Sequence, residues 1–435
     1  MNSLEKISIP DTNQKRVVIV GAGFGGLEVS QRLANSGYQV VLIDKNNYHQ
    51  FQPLLYQVAM ATVEPSSIIF PLRKIFRKKE NVYVRIAEVE EVDPQTQQLK
   101  TSMGSLSYDY LVFAMGARSN FFGNKQIEEL SIPMKSVSEA LFLRNAMLED
   151  FEKAIETRDY EVRQKLLDIV IVGGGATGVE LAGSLAEMKK QIFPKDYYEI
   201  DTLEIDIYLI QGGDKLLAGM SEFASEATLD YLTQLGIKVR LNTRVTGYDG
   251  ETVFLGDGTT IPSQKLIWAA GISGNPVKGL PAESIVRGNR MAVDEYNQVK
   301  NCEHIFAIGD IASMASEKYP DGHPQVAQVA IQQGKLLAKN LKRLHNGKPM
   351  LPFSYHDKGS MATIGRKKAV ADLPWIKLKG NLASLIWMFI HLISLFGLRN
   401  KIAVFFNWMI LYFTKDPYLR VNIKPTKRER AVVKE

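Results

Sequence analysis

Two glycine clusters carry the clearest chemical signal in this 435-residue chain. The first reads Gly21-Ala-Gly23-Phe24-Gly25-Gly26 and the second Gly173-Gly-Gly175-Ala176-Thr177-Gly178, both of the form G-x-G-x-x-G. Each comes after an apolar, β-branched run (residues 17–20 and 169–172) and precedes a helical pattern rich in Leu, Ala, Ser and Glu. In that setting the first glycine makes a tight strand-to-helix turn. The second lets a pyrophosphate approach the backbone, and the third lets the helix pack on the strand. The start of the helix then offers unpaired N–H groups and a partial positive charge to the phosphates. One copy alone is weak evidence. Two copies between strand and helix predict two dinucleotides, for which a flavin and a nicotinamide are the economical pair.

The two copies diverge at the end of the next strand. After the first, a strand at 38–43 ends in Asp44, about 20 residues on, where a carboxylate accepts hydrogen bonds from a ribose hydroxyl. After the second, a strand at 205–210 ends in Gln211, then Gly212-Gly213-Asp214-Lys215. A glutamine still bonds ribose hydroxyls but does not repel a 2′-phosphate, and no adjacent arginine clamps one. NADH is therefore the expected donor, with NADPH tolerated. Residues 110–117 read as a buried strand breaking at Gly116, and residues 305–312 repeat that form. There Gly309 permits close backbone approach and Asp310 is placed to bond the ribityl chain of a flavin. An ordinary strand-end turn is the plain alternative at both places.

The single cysteine, Cys302, removes one class of chemistry. Disulfide reductases and sulfide:quinone oxidoreductases need paired redox cysteines, so electrons here must pass from nicotinamide to flavin to an acceptor that is not a disulfide. The six histidines show no ligand spacing, and no metal site is expected. The first 16 residues are polar and mixed in charge, unlike a signal peptide.

Charge is unevenly placed. Beyond Ile376 there are 11 Lys/Arg against 3 Asp/Glu, whereas the whole chain carries only +6. The same tail holds two apolar, aromatic runs at 382–396 and 402–413, flanked by Lys377, Lys379, Arg399, Lys401 and Lys415. Neither comfortably reaches the roughly 20 residues needed to span a bilayer. Apolar faces bounded by cations suit helices lying in the interface and drawn to anionic lipid. Burial in a core or a dimer interface is one alternative, and a transmembrane hairpin is another. The final Lys427-Arg-Glu-Arg430 tract has no aromatic interleaving, so nucleic-acid binding is not expected.

With these residues in view, the chain resembles the flavoprotein oxidoreductases with two dinucleotide-binding domains. Within them it looks like the type II, non-proton-pumping NADH:quinone oxidoreductases. The resemblance rests on both fingerprints, the stretch Tyr48-His-Gln-Phe-Gln52-Pro53-Leu-Leu-Tyr56-Gln57, the Gly309-Asp310 element, Ala327-Gln328-Val-Ala-Ile-Gln332 and the apolar tail. It implies one FAD, contacted by the first fingerprint, Asp44, Lys45, Gln52, Pro53, Val89, Ala114, Gly116, Asp310 and Ala327. It implies NADH contacts at the second fingerprint, Glu180, Gln211, Ala270 and Gly271. It also implies a quinone site at Gln328 and Gln332, which share one helix face at i and i+4. On spacing alone, two solvated helix glutamines explain that pair equally well. Glu180 is implied in proton transfer to the quinone, against the plain reading of a first-turn acid favoured by the helix dipole. Lys401 faces the quinone entrance or simply snorkels to the lipid surface.

The expected fold is α/β, with two Rossmann-like domains for FAD and NAD(P)H and a small C-terminal membrane-anchoring region of amphipathic helices. The FAD domain is expected at 15–121 and 291–344, the NAD(P)H domain at 123–290 and the C-terminal region at 352–435. The expected protein is a peripheral (monotopic) homodimer on the cytoplasmic face of the bacterial inner membrane, reducing a bilayer quinone. A soluble ferredoxin or flavodoxin reductase is the enzymatic alternative, and the apolar tail argues against it. A redox-sensing nucleotide-binding module is the alternative from another class.

Overall fold

In a computed structural model, residues 6–417 and 419–422 are described, so the 427–430 basic tract lies outside the described residues. Along the chain come β1 (Arg16–Val20), α1 (Phe24–Leu33), β2 (Gln39–Asp44), α2 (Leu55–Ala59), β3 (Val82–Ile86) and β4 (Tyr110–Phe113). Next are α3 (Val137–Glu156), β5 (Ile169–Val172), α4 (Ala176–Gln191), β6 (Ile207–Ile210), α5 (Glu222–Gln234), β7 (Lys238–Arg240) and β8 (Lys265–Trp268). The last stretch holds β9 (Ile305–Ala307), α6 (Ala327–His345), β10 (Ser360–Thr363), β11 (Ala369–Asp372), β12 (Lys377–Lys379), α7 (Asn381–Ser394) and α8 (Leu398–Thr414).

The chain forms two units, and the first comprises Met1–Gln50, Ile69–Asn120 and Gly271–Gly359. Its parallel sheet runs β9-β4-β1-β2-β3. The central strands are runs of Val and Ile because both faces of a parallel sheet are covered. Val17, Val18, Ile19, Val40 and Val41 are wholly buried. Since β2 and β4 flank β1 on opposite sides, the crevice beyond the carboxyl end of β1 is the topological switch point at which such sheets bind ligands.

The second unit comprises Phe51–Ile68, Phe121–Ala270 and Ser360–Glu435. It repeats the plan, with a short strand Ile132–Pro133 and then β8-β5-β6-β7. A three-stranded antiparallel sheet, β10-β11-β12, leads into α7 and α8. Gly183 lets α4 pack directly on this sheet, since a Cβ there would stand 2.7 Å from the Ile364 carbonyl carbon.

The borders differ from the sequence expectation at Phe121, which lies with the second unit, and at three longer segments. Residues 271–290 lie with the first unit, because the strand Ile272–Gly274 pairs with Ala117–Ser119 of that unit. Phe51–Ile68, placed with the FAD domain on sequence, belongs to the second unit. Residues 352–359, assigned to the C-terminal region, belong to the first. No sequence pattern marks these exchanges, because side-chain periodicity reports which face is buried and not which sheet buries it.

Candidate functional site

The first cradle forms where β1 enters α1. Gly21 has φ +99°, and a Cβ on it would lie 2.4 Å from the Ala114 carbonyl oxygen. A Cβ on Gly26 would lie 1.8 Å from the Gly21 carbonyl oxygen, so helix and turn are in contact. Gly23, in contrast, has nothing closer than 4.0 Å. It is also the N-cap of α1, with no side-chain cap and no acid in the first turn. Elsewhere the chain caps helices with side chains, such as the Ser136/Glu139 capping box on α3 and Ser221 on α5. Leaving donors uncapped in front of open space costs stability in itself and suits a pyrophosphate. The residues present therefore fit a dinucleotide.

Asp44 braces this turn. Its carboxylate accepts from the Ala22 N–H (2.7 Å) and the Asn46 N–H (2.7 Å). Burial raises its pKa, while the two N–H groups and the Lys45 charge oppose that shift. On the other side of the sheet, Gly309 (φ +72°) turns the chain toward Asp310 and donates its N–H to Gln333 Oε1 (2.7 Å). Gln325 donates to the Asp310 carbonyl (2.8 Å). The first turn of α6, with Ala327 and Gln328, also lacks a side-chain cap.

The second cradle is built alike within the second unit. Gly173 has φ +115°, with its Cβ position 2.5 Å from the Ala269 carbonyl oxygen, and that of Gly178 is 1.9 Å from the Gly173 carbonyl oxygen. Gly175 faces open space and caps α4 without side-chain help. Gln211 occupies the place of Asp44: its Oε1 accepts from the Gly174 N–H (2.9 Å), and its Nε2 donates to the Lys215 carbonyl (3.3 Å). A neutral amide thus does the bracing that a carboxylate does in the first unit, and puts no negative charge at the ribose end of the turn.

One turn into α4 lies Glu180, 7 % exposed. Its Oε1 accepts a long hydrogen bond (3.4 Å) from the Thr363 backbone N–H. Burial pushes its pKa from 4.5 to about 8, opposed weakly by that N–H and by the Trp387 indole. A buried carboxyl with poor donors and, among the described residues, no cation paired with it holds its proton at neutral pH. Beside Thr363 lies a cavity of about 110 Å³, entirely within the second unit. Tyr56 and Gln57 from α2 and Ser184 and Glu187 from α4 line one part of it. Trp387 from α7 and Trp408 and Tyr412 from α8 line another.

The family model for pyridine nucleotide-disulphide oxidoreductases matches residues 15–334, and that for the NDH2 C-terminal domain matches 357–415. The chain is 35% identical to the type II NADH:quinone oxidoreductase Ndh of Mycobacterium tuberculosis, over 92% of this chain and 88% of that one. The chain belongs to the type II NADH:quinone oxidoreductases. The Haemophilus influenzae type II enzyme is 31% identical over 94% of this chain and 99% of its own. Among solved structures, NDH2 of Plasmodium falciparum in complex with NADH shares the fold with a TM-score of 0.87 at 23% identity, covering 95% and 100% of the two chains. The sulfide:quinone oxidoreductase of Aquifex aeolicus shares it with a TM-score of 0.71 at 20% identity, covering 92% and 96%. As a type II enzyme the protein is an FAD-dependent NADH:quinone oxidoreductase that does not pump protons. Its lone Cys302, buried and unpaired, cannot serve the disulfide chemistry of the wider superfamily.

Set in this type II enzyme, the residues singled out on sequence separate. The first fingerprint, Asp44, Gly116, Asp310 and Ala327 lie in the first unit, and the second fingerprint, Glu180, Gln211 and Ala270 in the second. Gln332 differs from the free amide expected of it. It donates to the His356 carbonyl (2.9 Å) and accepts from the His356 N–H (3.0 Å), so both ends are committed to a neighbouring strap. Lys401 donates to the Ile393 carbonyl (2.6 Å), closing the C-terminal end of α7, and does not line the cavity. Thr363, Trp387 and Trp408 went unnoticed on sequence. Nothing local marks a threonine in a short strand, and the two tryptophans read there only as parts of an apolar run.

Proposed function

We propose that the cavity in the second unit receives the quinone head group and that Glu180 holds the proton delivered to it. The observation that carries this is a neutral, buried carboxyl meeting an aromatic-walled cavity at Thr363. Reducing a quinone to its quinol takes two electrons and two protons; NADH gives two electrons and one proton as hydride, and the medium gives the other. Bound FAD supplies the carrier that accepts the hydride and releases the electrons. The chain itself orients both dinucleotides through its two cradles, lines the cavity with Trp387 and Trp408, and keeps the second proton on Glu180 up to about pH 8. Filling the cavity tests the assignment. Ser184→Trp is expected to slow reoxidation of the reduced flavin by a short-chain quinone at least about tenfold. Its anaerobic reduction by NADH should stay near the wild-type rate. Unimpaired quinone turnover in that variant would place the acceptor elsewhere.

The same reading puts the protein on an anionic membrane surface at the cytoplasmic face, held by α7 and α8. α7 buries Ala383, Ser384 and Trp387 and exposes Leu382, Leu385, Phe389 and Ile393; α8 buries Val404 and Trp408 and exposes Ile402, Phe405, Phe406 and Phe413. No helix among the described residues is long and apolar enough to cross a membrane. Each large apolar side chain moved from water into lipid contributes about 1.5–3 kcal/mol. Wild type should therefore float with anionic vesicles and stay bound in high salt, whereas Phe389→Asp combined with Phe406→Asp should remain in the soluble fraction. Complete release of wild type by salt would mean that charge alone holds it.

A further inference from the structure

The turn after β6 has a cationic neighbour that comes from far along the chain. The segment after β7 is bonded to this turn: the Thr243 N–H donates to the Gln211 carbonyl (3.0 Å), and the Asn242 N–H donates to the Gly213 carbonyl (2.8 Å). These two bonds seat Arg244 against the turn, where a Cβ added to Gly212 would stand 3.5 Å from Arg244 Cγ. No arginine is adjacent to Gln211 in the sequence, but one is adjacent in space. The chain order hides it, because α5 and β7 intervene.

Arg244 is also uncommitted. Of the basic residues on this turn, β7 and the segment that follows, Lys215 pairs with Glu222 (3.3 Å) and Lys238 with Asp206 (2.5 Å). Arg240 pairs with Asp257 (3.8 Å) and donates to the Thr259 hydroxyl (2.9 Å). The Arg244 side chain is exposed and makes no hydrogen bond or ion pair among the described residues. Gln211 is neutral and supplies no counter-charge. In doubly wound nucleotide-binding sheets the end of the second strand meets the adenosine ribose: an acid there bonds the 2′-hydroxyl, whereas a nearby arginine receives a 2′-phosphate. This turn lacks the acid at that position and has the arginine.

We propose that Arg244 binds the 2′-phosphate of NADPH and so gives this enzyme a second, phosphorylated electron donor. The proposal rests on reading the second cradle as the nicotinamide-dinucleotide site. A guanidinium offers paired N–H groups to a phosphate monoester and carries the opposite charge. The chemistry is the same for both donors, because the 2′-phosphate lies at the end of the dinucleotide away from the nicotinamide. NADPH gives up a hydride and leaves as NADP⁺, as NADH leaves as NAD⁺. NADH remains the better donor, since the exposed Asp214 in the same turn opposes a further negative group.

The test uses the full-length holoenzyme, with anaerobic flavin reduction followed separately for NADPH and NADH. Wild type should be reduced by both. Arg244→Gln should lower the second-order rate constant about ten- to hundredfold for NADPH and no more than about twofold for NADH. Arg244→Lys keeps the charge without the planar fork and should recover part of the NADPH rate. A probe without nicotinamide separates binding from turnover. In wild type 2′,5′-ADP should compete with NADH more strongly than 5′-AMP does, and in Arg244→Gln the two should compete alike. A wild type that ignores NADPH, a variant with an unchanged donor ratio, or an equal loss for both donors would overturn the proposal. Gly178→Ala tells this failure from that of the cradle reading. If it leaves reduction by NADH intact, the cradle reading fails first; if it abolishes reduction while Arg244→Gln changes nothing, the arginine assignment alone is wrong.

Discussion

Replacing Gly178 by alanine is expected to abolish NADH-driven reduction of the flavin while leaving the flavin bound and reducible by dithionite. The added Cβ would stand 1.9 Å from the Gly173 carbonyl oxygen, a backbone atom that cannot swing aside. Helix α4 must then back away from its turn, and the uncapped N–H groups behind Gly175 lose their aim at the pyrophosphate. Hydrogen bonds to a charged group contribute about 1.5–3 kcal/mol each, so losing two costs roughly a hundred- to ten-thousandfold in kcat/KM for NADH. The first cradle lies in the other unit and should keep its flavin. Anaerobic titration with NADH and then dithionite reads both halves at once. Wild-type reduction by NADH would show that the turn can relax. Loss of flavin together with NADH activity would show instead that the whole fold had failed.

The second large effect concerns Glu180. Its pKa of about 8 means that it is neutral, and so able to give a proton, over the acid and neutral range. Quinone reduction by wild type should accordingly decline as pH rises through about 8. Glu180→Gln keeps the shape but has no proton to give, and should lower quinone reduction roughly a hundredfold, with the alkaline decline gone. Flavin reduction by NADH serves as the internal control. The same substitution has a signature in stability. Between 4.5 and about 8 the unfolded chain has lost the Glu180 proton while the folded one retains it, so folding weakens with rising pH across that window and levels off above it. At about 1.4 kcal/mol per unit the loss approaches 4–5 kcal/mol, and the glutamine variant escapes it. The gap in melting temperature between variant and wild type should thus be wider at pH 8.5 than at pH 5. An alkaline limb that survives in Glu180→Gln would assign the titration to another group.

Much of this site was legible in the chain because its parts are local. A glycine turn between a strand and a helix spans six residues, and backbone sterics alone dictate its residue types. Asp44 and Gln211 were legible because each ends the strand next to its turn. The surroundings of Gln332 were not legible: helical spacing puts it on one face with Gln328, but spacing says nothing of the His356 backbone 24 residues later that meets its amide. Lys401 shows the same pattern, its ammonium closing the end of α7.

Residue types and short spacings are enough to specify the two dinucleotide cradles, the apolar, cationic tail and, through the lone Cys302, the exclusion of disulfide chemistry. Long-range packing is what joins Phe51–Ile68 to the unit that carries the second cradle and makes α2, α4, β10, α7 and α8 line one cavity. It alone brought Trp408 to Gln57 across 351 residues and Thr363 to Glu180 across 183. The pKa of Glu180 is likewise a property of the fold, because desolvation is set by everything packed around a carboxyl and by nothing in its neighbours along the chain.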